Sequence, residues 1–364
     1  MVLEQPKAAT GMIWQDALPR PEAMTPTLLE DLLAEGGREV AIADLTCERV
    51  GTGQIGDTVR YRVSYRSGSG PETIIGKFAS SDQTSRAVAD AWSLYQREVR
   101  FYRELARDAR LDTPECYCAL MDESGAFALL LEDLAGATVG DQFRGMDDGD
   151  AHRAMKEAAK LHAAFWQRGE DPDLAWLDTG PKAQPFYGPE VYRDTWPRFR
   201  ERYADQLETA HLRVCDALFE GYDAYNRPRD GIRCVTHNDF RPDNMLFSAG
   251  RLTVVDWQSV ALGTNAVDVA YLIGGSYSPE ARREHEAALL ATYLAELERQ
   301  GVTGQSRDAF EHEYRHFTFA GINVAVGAAM LVKRTERGDR MFLTMLDRHV
   351  SHVLDTDALT LLAE

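Results

Sequence analysis

Cys234-Val235-Thr236-His237-Asn238-Asp239-Phe240-Arg241-Pro242-Asp243-Asn244-Met245-Leu246-Phe247 leads through the turn Ser248-Ala249-Gly250 into Arg251-Leu252-Thr253-Val254-Val255-Asp256-Trp257, and this stretch decides the reading of the chain. Short apolar runs on either side of a polar loop predict strands. The loops at their ends carry two carboxylates, Asp239 and Asp256, and one amide, Asn244. Phosphoryl transfer needs such a set: one carboxylate to orient or accept an alcohol proton, and two oxygen ligands to hold Mg²⁺ on nucleotide phosphates. Stripped of chemistry, the same residues would be only a polar hairpin turn ahead of a buried strand.

The spacing H-x-D-x-x-x-x-N, met by His237, Asp239 and Asn244, together with the Asp256-Trp257 pair, resembles the small-molecule branch of the protein-kinase-like superfamily. That branch holds the aminoglycoside phosphotransferases, choline kinases and ecdysteroid-kinase-like proteins. The resemblance implies Asp239 as catalytic base, Asn244 and Asp256 as ligands of Mg²⁺, and His237 as a support of the catalytic loop. It also implies that Arg241 stands where many protein kinases keep a lysine near the γ-phosphate, and that Mg-ATP is the phosphoryl donor.

Upstream, Gly51-Thr52-Gly53-Gln54-Ile55-Gly56 is G-x-G-x-x-G. Alone this motif fits a dinucleotide-binding turn equally well, but a dinucleotide turn opens a helix. Here the loop opens Thr58-Val59-Arg60-Tyr61-Arg62-Val63-Ser64-Tyr65, whose strict alternation predicts a half-exposed strand with Val59, Tyr61, Val63 and Tyr65 on one face. The glycines Gly51, Gly53 and Gly56 would let backbone N–H groups approach phosphates. Lys77 sits inside the apolar run Ile74-Ile75-Gly76-Lys77-Phe78, where an amine is costly unless it meets an anion. Glu98, on the helix that follows, is its expected partner. The hinge at the end of Phe127-Ala128-Leu129-Leu130-Leu131-Glu132-Asp133-Leu134 would by resemblance meet the adenine through backbone groups at Glu132 and Leu134.

The order of elements predicts an α+β, bilobal protein-kinase-like fold. Residues 1–133 would form a small antiparallel-sheet lobe with one packed helix (about 85–107), after a capped helix opening at Thr25-Pro26. Residues 134–364 would form a larger, mainly helical lobe, with helices near 149–167, 189–225, 265–275, 278–300, 306–334 and 339–362. Leu161, His162, Phe165 and Trp166 resemble the helix packed beneath the catalytic loop in this group, and Asp268 resembles its structural aspartate that braces that loop.

The 364 residues carry a formal net charge of −18, which argues against nucleic acid and against an anionic membrane surface. Cys47, Cys116, Cys118, Cys215 and Cys234 are odd in number and scattered, which fits reduced thiols in a cytoplasmic protein. Cys116 and Cys118, one residue apart in an expected strand, would point the same way. The expected partner is a small-molecule alcohol. The aromatics Trp176, Phe186, Tyr187, Tyr192, Trp196 and Phe199 would suit an amphipathic or ring-bearing one, or simply pack. GTP in place of ATP, a protein acceptor, and a kinase fold that binds nucleotide without turnover stay open. A rival motif, His312-Glu313-Tyr314-Arg315-His316, spells H-E-x-x-H, the signature of a zinc peptidase, set in a chain that predicts no strand beside it.

Overall fold

The computed structural model describes residues 13–14, 17–51, 55–178, 188–227 and 231–363. The chain divides into two compact units, Met1–Arg107 with Thr113–Gly136, and Asp108–Asp112 with Ala137–Glu364.

The first unit is built on a sheet of order β1-β5-β6-β4-β3-β2. Its strands are β1 (Ile13–Trp14), β2 (Ala41–Arg49), β3 (Gly56–Ser67), β4 (Thr73–Ala79), β5 (Cys116–Asp122) and β6 (Phe127–Glu132). All neighbours are antiparallel except β1, which runs parallel to β5 with Ile13 opposite Met121. The alternation read from the sequence holds in β3: Val59, Tyr61 and Val63 are buried, while Arg62, Ser64 and Arg66 face solvent. Those apolar faces pack with Leu29, Leu32 and Leu33 of α1 (Pro26–Glu35) into one core. The Thr25 hydroxyl caps α1 by accepting from Leu28 N at 3.2 Å. The turn between β5 and β6 is tied by Asp122, whose Oδ1 accepts from Ser124 N and Ala126 N.

Two expectations are corrected here. The single helix over 85–107 is broken: α2 (Gln83–Ala91) stops, Ser93 takes a left-handed φ of 55°, and α3 (Leu94–Arg100) starts in a new direction before a π-turn at Phe101–Leu105. Neither Gly nor Pro marks that break. In β5 a bulge between Cys116 and Cys118 disrupts the alternation that would have aligned their side chains. All five cysteines are free thiols.

The second unit is mainly helical. It contains α4 (Asp148–Ala164), α5 (Pro189–Arg202), α6 (Thr209–Tyr225), α7 (Ala266–Ser276), α8 (Pro279–Arg299), α9 (Arg307–Phe317), α10 (Ala320–Leu331) and α11 (Glu336–Asp355). Two expected long helices, 189–225 and 306–334, are each two helices. In the second case the Thr318 hydroxyl bonds back to the Arg315 carbonyl at 2.7 Å and competes with the helical ladder. Among the described residues, five short strands accompany these helices: β7 (Thr138–Val139), β8 (Cys234–Thr236), β9 (Met245–Ser248), β10 (Arg251–Val254) and β11 (Ala261–Gly263). They form a three-stranded sheet, β10-β9-β7, and a two-stranded one, β11-β8. Tyr192, Trp196 and Phe199 lie in the core formed with α6, α10 and α11, so these three aromatics pack. Phe186 and Tyr187 lie outside the described residues. Among the described residues no helix is long and apolar enough to cross a membrane.

Candidate active site

In the first unit, β3 pairs with β4 so that Thr58 faces Lys77, and β4 pairs with β6 so that Lys77 faces Leu129. This register sets Lys77 in the middle of the sheet, and its Nζ donates to Glu98 Oε1 of α3 at 2.5 Å. The Glu98 side chain is only 2% exposed, which makes the pair a desolvated one. Gly51 has φ 76°, a conformation that favours glycine. A Cβ on Gly56 would come within 3.0 Å of the Phe78 carbonyl. Gly53 lies outside the described residues. At the end of β6, the Glu132 N–H is already given to the Glu115 carbonyl at 2.8 Å, and Asp133 is paired with Arg60 at 2.6 Å. Leu134 follows, half-buried.

In the second unit the polar loop lies between β8 and β9. Asp268, fully buried on the first turn of α7, holds it from below. Its Oδ2 accepts from His237 N at 2.7 Å and its Oδ1 from Asn238 N at 2.8 Å. His162 of α4 stands 3.2 Å from the same carboxylate, and its other nitrogen meets the Tyr293 hydroxyl at 2.8 Å. Asn238 accordingly takes φ 61°, a left-handed conformation that asparagine tolerates better than most residues, and its amide ties Thr236 Oγ1 and the Ser259 carbonyl. The His237 ring supports the loop from inside: Nε2 faces the Val255 carbonyl at 3.0 Å, so Nδ1 is left to accept from Asp239 N at 3.2 Å. The ring also packs on Trp257, 4.6 Å between centroids.

The Asp239 carboxylate is held by two hydrogen-bond donors and one ion pair. Asn244 Nδ2 reaches Oδ2 at 2.8 Å and the Asp239 carbonyl at 2.8 Å. Tyr271, three residues after Asp268 on α7, donates its hydroxyl to Oδ1 at 3.0 Å. Arg241 Nε lies 3.0 Å from Oδ1. Burial would lower the Arg241 pKa, but Asp239, with Tyr271 and Asp243, raises it, so the guanidinium stays charged. Its Nη1 bonds Gln142 Oε1 at 2.8 Å. Arg241 is thus engaged by Asp239 and its surroundings, a tighter hold than the sequence suggested.

Asp256 is brought to Asn244 by register. β9 and β10 pair with Val254 opposite Met245, and Val255 N then donates to the Asn244 carbonyl at 3.0 Å. Asp256 comes next, at φ 69°. Two such left-handed residues, Asn238 and Asp256, flank the loop, a concentration of backbone strain that functional loops often carry.

Among the described residues no trio of His, Cys, Asp and Glu is arranged to hold a metal. A Mg²⁺ on a nucleotide needs only one or two protein oxygens, the rest coming from phosphates and water. Asn244 fits that demand: its amide nitrogen is committed to Asp239, which leaves Oδ1 for a cation, and the hard carboxylate of Asp256 is its neighbour. The H-E-x-x-H segment lies on α9, with His312 exposed and His316 buried and stacked on Tyr225 at 4.6 Å and 14°. A stacked, buried ring paired with an exposed one is not the arrangement of two zinc ligands.

Sequence reading missed Tyr271, Gln142 and Arg348. Tyr271 had a faint signal, since it is the one phenol in the apolar run of α7, and a buried hydroxyl needs a partner. Gln142 and Arg348 had none. Arg348 donates to the carbonyls of Gln142 and Gly275 at 2.6 and 2.7 Å, contacts made 206 and 73 positions along the chain.

A model of the phosphotransferase enzyme family matches residues 54–318. The chain belongs to that family. Similar solved structures include the microcompartment-associated aminopropanol kinase, with TM-score 0.52 and 13% identity over 92% of this chain and 99% of that one. The ethanolamine kinase of Plasmodium vivax gives TM-score 0.53 and 10% identity over 84% and 81%. At such identities the likeness is one of fold, the α+β protein-kinase-like fold of small-molecule kinases. No curated protein matches the chain.

Proposed function

We propose that this member of the phosphotransferase family moves the γ-phosphoryl group of Mg-ATP to a hydroxyl of a small molecule. The observation that carries the reading is the Asp239–Asn244 arrangement, a carboxylate fixed by two hydrogen-bond donors and an arginine ion pair beside an amide whose oxygen is left for a cation. In this reading Asp239 orients the acceptor hydroxyl and takes its proton. Asn244 and Asp256 hold Mg²⁺, which when bound neutralises charge on the nucleotide phosphates. Lys77, steadied by Glu98, binds the α- and β-phosphates, and backbone N–H groups of the 51–56 loop cover them. Backbone groups at Glu132 and Leu134 meet the base of the nucleotide. Arg241 keeps Asp239 in place and lends positive charge to the transferred group, while His237 fixes the loop.

The test is transfer of label from γ-labelled ATP to an alcohol library by the wild type and by Asp239→Asn. The expected result is labelled product from the wild type, and at least a thousandfold loss in the variant with ATP affinity within a few-fold. Turnover by Asp239→Asn at the wild-type rate would refute the role given to Asp239. A wild type that binds ATP but transfers to no alcohol would instead favour a silent nucleotide-binding protein.

A further inference from the structure

The acidic total of the chain is locally reversed beside the catalytic loop. Lys333-Arg334-Thr335-Glu336-Arg337-Gly338-Asp339-Arg340-Met341 forms the turn into α11 and its first turns. The guanidinium carbons of Arg337 and Arg340 lie 5.5 and 5.9 Å from the centre of the Phe143 ring. Lys333, Arg337, Arg340 and Arg144 are all exposed. Among the described residues none of these four has a carboxylate partner, whereas Arg334 is paired with Asp339 at 2.8 Å. The nearby acids are mostly occupied. Asp339 also accepts from the Tyr203 hydroxyl, and Asp141 accepts from Phe143 N and Arg144 N. Glu336 is exposed at the start of α11, and Asp243 accepts from Gln142 N at 2.8 Å.

This patch is joined to the base by short contacts within the same unit. Arg241 Nη1 touches Gln142 Oε1 at 2.8 Å and Met341 Sδ at 3.7 Å. Phe143 follows Gln142 in the chain, and Arg340 precedes Met341. The Phe143 segment is rigidly seated, because Arg348 donates to the Gln142 and Phe143 carbonyls at 2.6 and 3.1 Å. A guanidinium held near a fixed ring, without a carboxylate partner, presents an N–H edge that matches the paired oxygens of a carboxylate or phosphate. Polycationic acceptors would meet like charge here.

We propose that the acceptor alcohol carries an anionic group, a carboxylate or a phosphate ester, bound by Arg337 and Arg340 beside Phe143 while its hydroxyl meets Asp239. This rests on the phosphotransferase reading above and adds the charge class of the substrate.

The experiment measures label transfer from γ-labelled ATP to 4-hydroxybutyrate and gluconate, to glycerol 3-phosphate, to glycerol and 1,4-butanediol, and to choline and kanamycin. Transfer should favour the anionic acceptors, and the carboxylate and phosphate arms tell which group is read. In Arg337→Ala/Arg340→Ala, the KM of the preferred anionic acceptor should rise about tenfold or more, roughly the loss of one charged contact. Its kcat should stay within about twofold and its KM for ATP should not move. Arg340→Glu should raise the acceptor KM further, and added salt should raise it in the wild type. Preference for neutral or cationic acceptors, or an unchanged acceptor KM in the folded double variant, overturns the inference and leaves the phosphotransferase reading standing. Failure of every acceptor class with ATP bound overturns both.

Discussion

Tyr271→Phe isolates one hydrogen bond at the centre of the proposed mechanism. The Tyr271 hydroxyl donates to Asp239 Oδ1 at 3.0 Å, and burial, reinforced by the Asp239 charge, raises its pKa well above the ordinary phenol value. It is therefore a neutral donor throughout the working pH range. Phenylalanine fills the same space, and its ring can keep the stack on His349, 5.6 Å between centroids at 20°. The change is a lost bond without a cavity. A hydrogen bond to a charged group contributes about 1.5–3 kcal/mol, and a tenfold rate change corresponds to about 1.4 kcal/mol. If the whole bond serves to hold Asp239 in line with the acceptor, kcat falls roughly 10- to 150-fold. Asn244 and Arg241 still hold the carboxylate, so the expected fall is near the lower end, with KM for ATP unchanged. Steady-state kinetics on a labelled acceptor, paired with a denaturation curve, gives both numbers. A kcat within twofold of wild type in a folded variant would mean that the hydroxyl satisfies itself without orienting the base.

Other outcomes follow from the same contacts. In Gly321→Ala the new Cβ would lie 2.1 Å from Cδ2 and Nε2 of the His349 ring, so an overpacking cost of about 1–3 kcal/mol should outweigh the roughly 1 kcal/mol gained in helix propensity. A lowered midpoint in urea checks it, and a raised one refutes it. Stability should also fall in acid. Burial, then the charge of His352, pushes the His349 imidazole down to about 3 from its ordinary 6.5. The unfolded chain takes up that proton near 6.5 while the folded chain does not, so the stabilisation is complete above 6.5 and is lost toward pH 3, by up to about 1.4 kcal/mol per pH unit. Glu286 adds a second acid limb: burial alone would raise it, but the His352 hydrogen bond and charge, with Arg282, pull it to about 2. Its contribution is present above the ordinary 4.5 and lost as pH falls from there toward 2. Urea midpoints at pH 7, 5.5 and 4 should decline in steepening steps, and a flat profile would contradict both assignments.

What could be read from the sequence was what the chain keeps close together. Asn244 and Asp256 stand at the two ends of the β9–β10 hairpin, and His237 and Asp239 lie on the loop just before it, so residues close in sequence stay close in space. Lys77 and Glu98 lie 21 positions apart, on β4 and α3, and an amine in an apolar strand implies its counter-ion. The broken helices were not legible, because Ser93 turns left-handed without glycine and Thr318 interrupts its ladder through a side chain. The support of Arg241 was not legible either. Gln142 reaches Arg241 from 99 positions away, and such a contact leaves no periodicity in either segment.

α7 explains why the catalytic loop depends on so few residues. Every residue of this helix is buried, from Ala266 to Ser276, so its polar side chains must find partners in the interior. Asp268 spends both carboxylate oxygens on the backbone of His237 and Asn238, and Tyr271, one turn later on the same face, reaches the Asp239 side chain. One helix thereby fixes the main chain of the loop and the rotamer of Asp239 together. The far end of that helix is glycine at 274 for a complementary reason. A Cβ on Gly274 would lie 2.5 Å from His349 Nδ1, and His349 is the ring on which Tyr271 stacks. The small residues and the phenol are parts of one requirement, that α7 lie close enough to α11 for Tyr271 to be clamped while its hydroxyl points at Asp239.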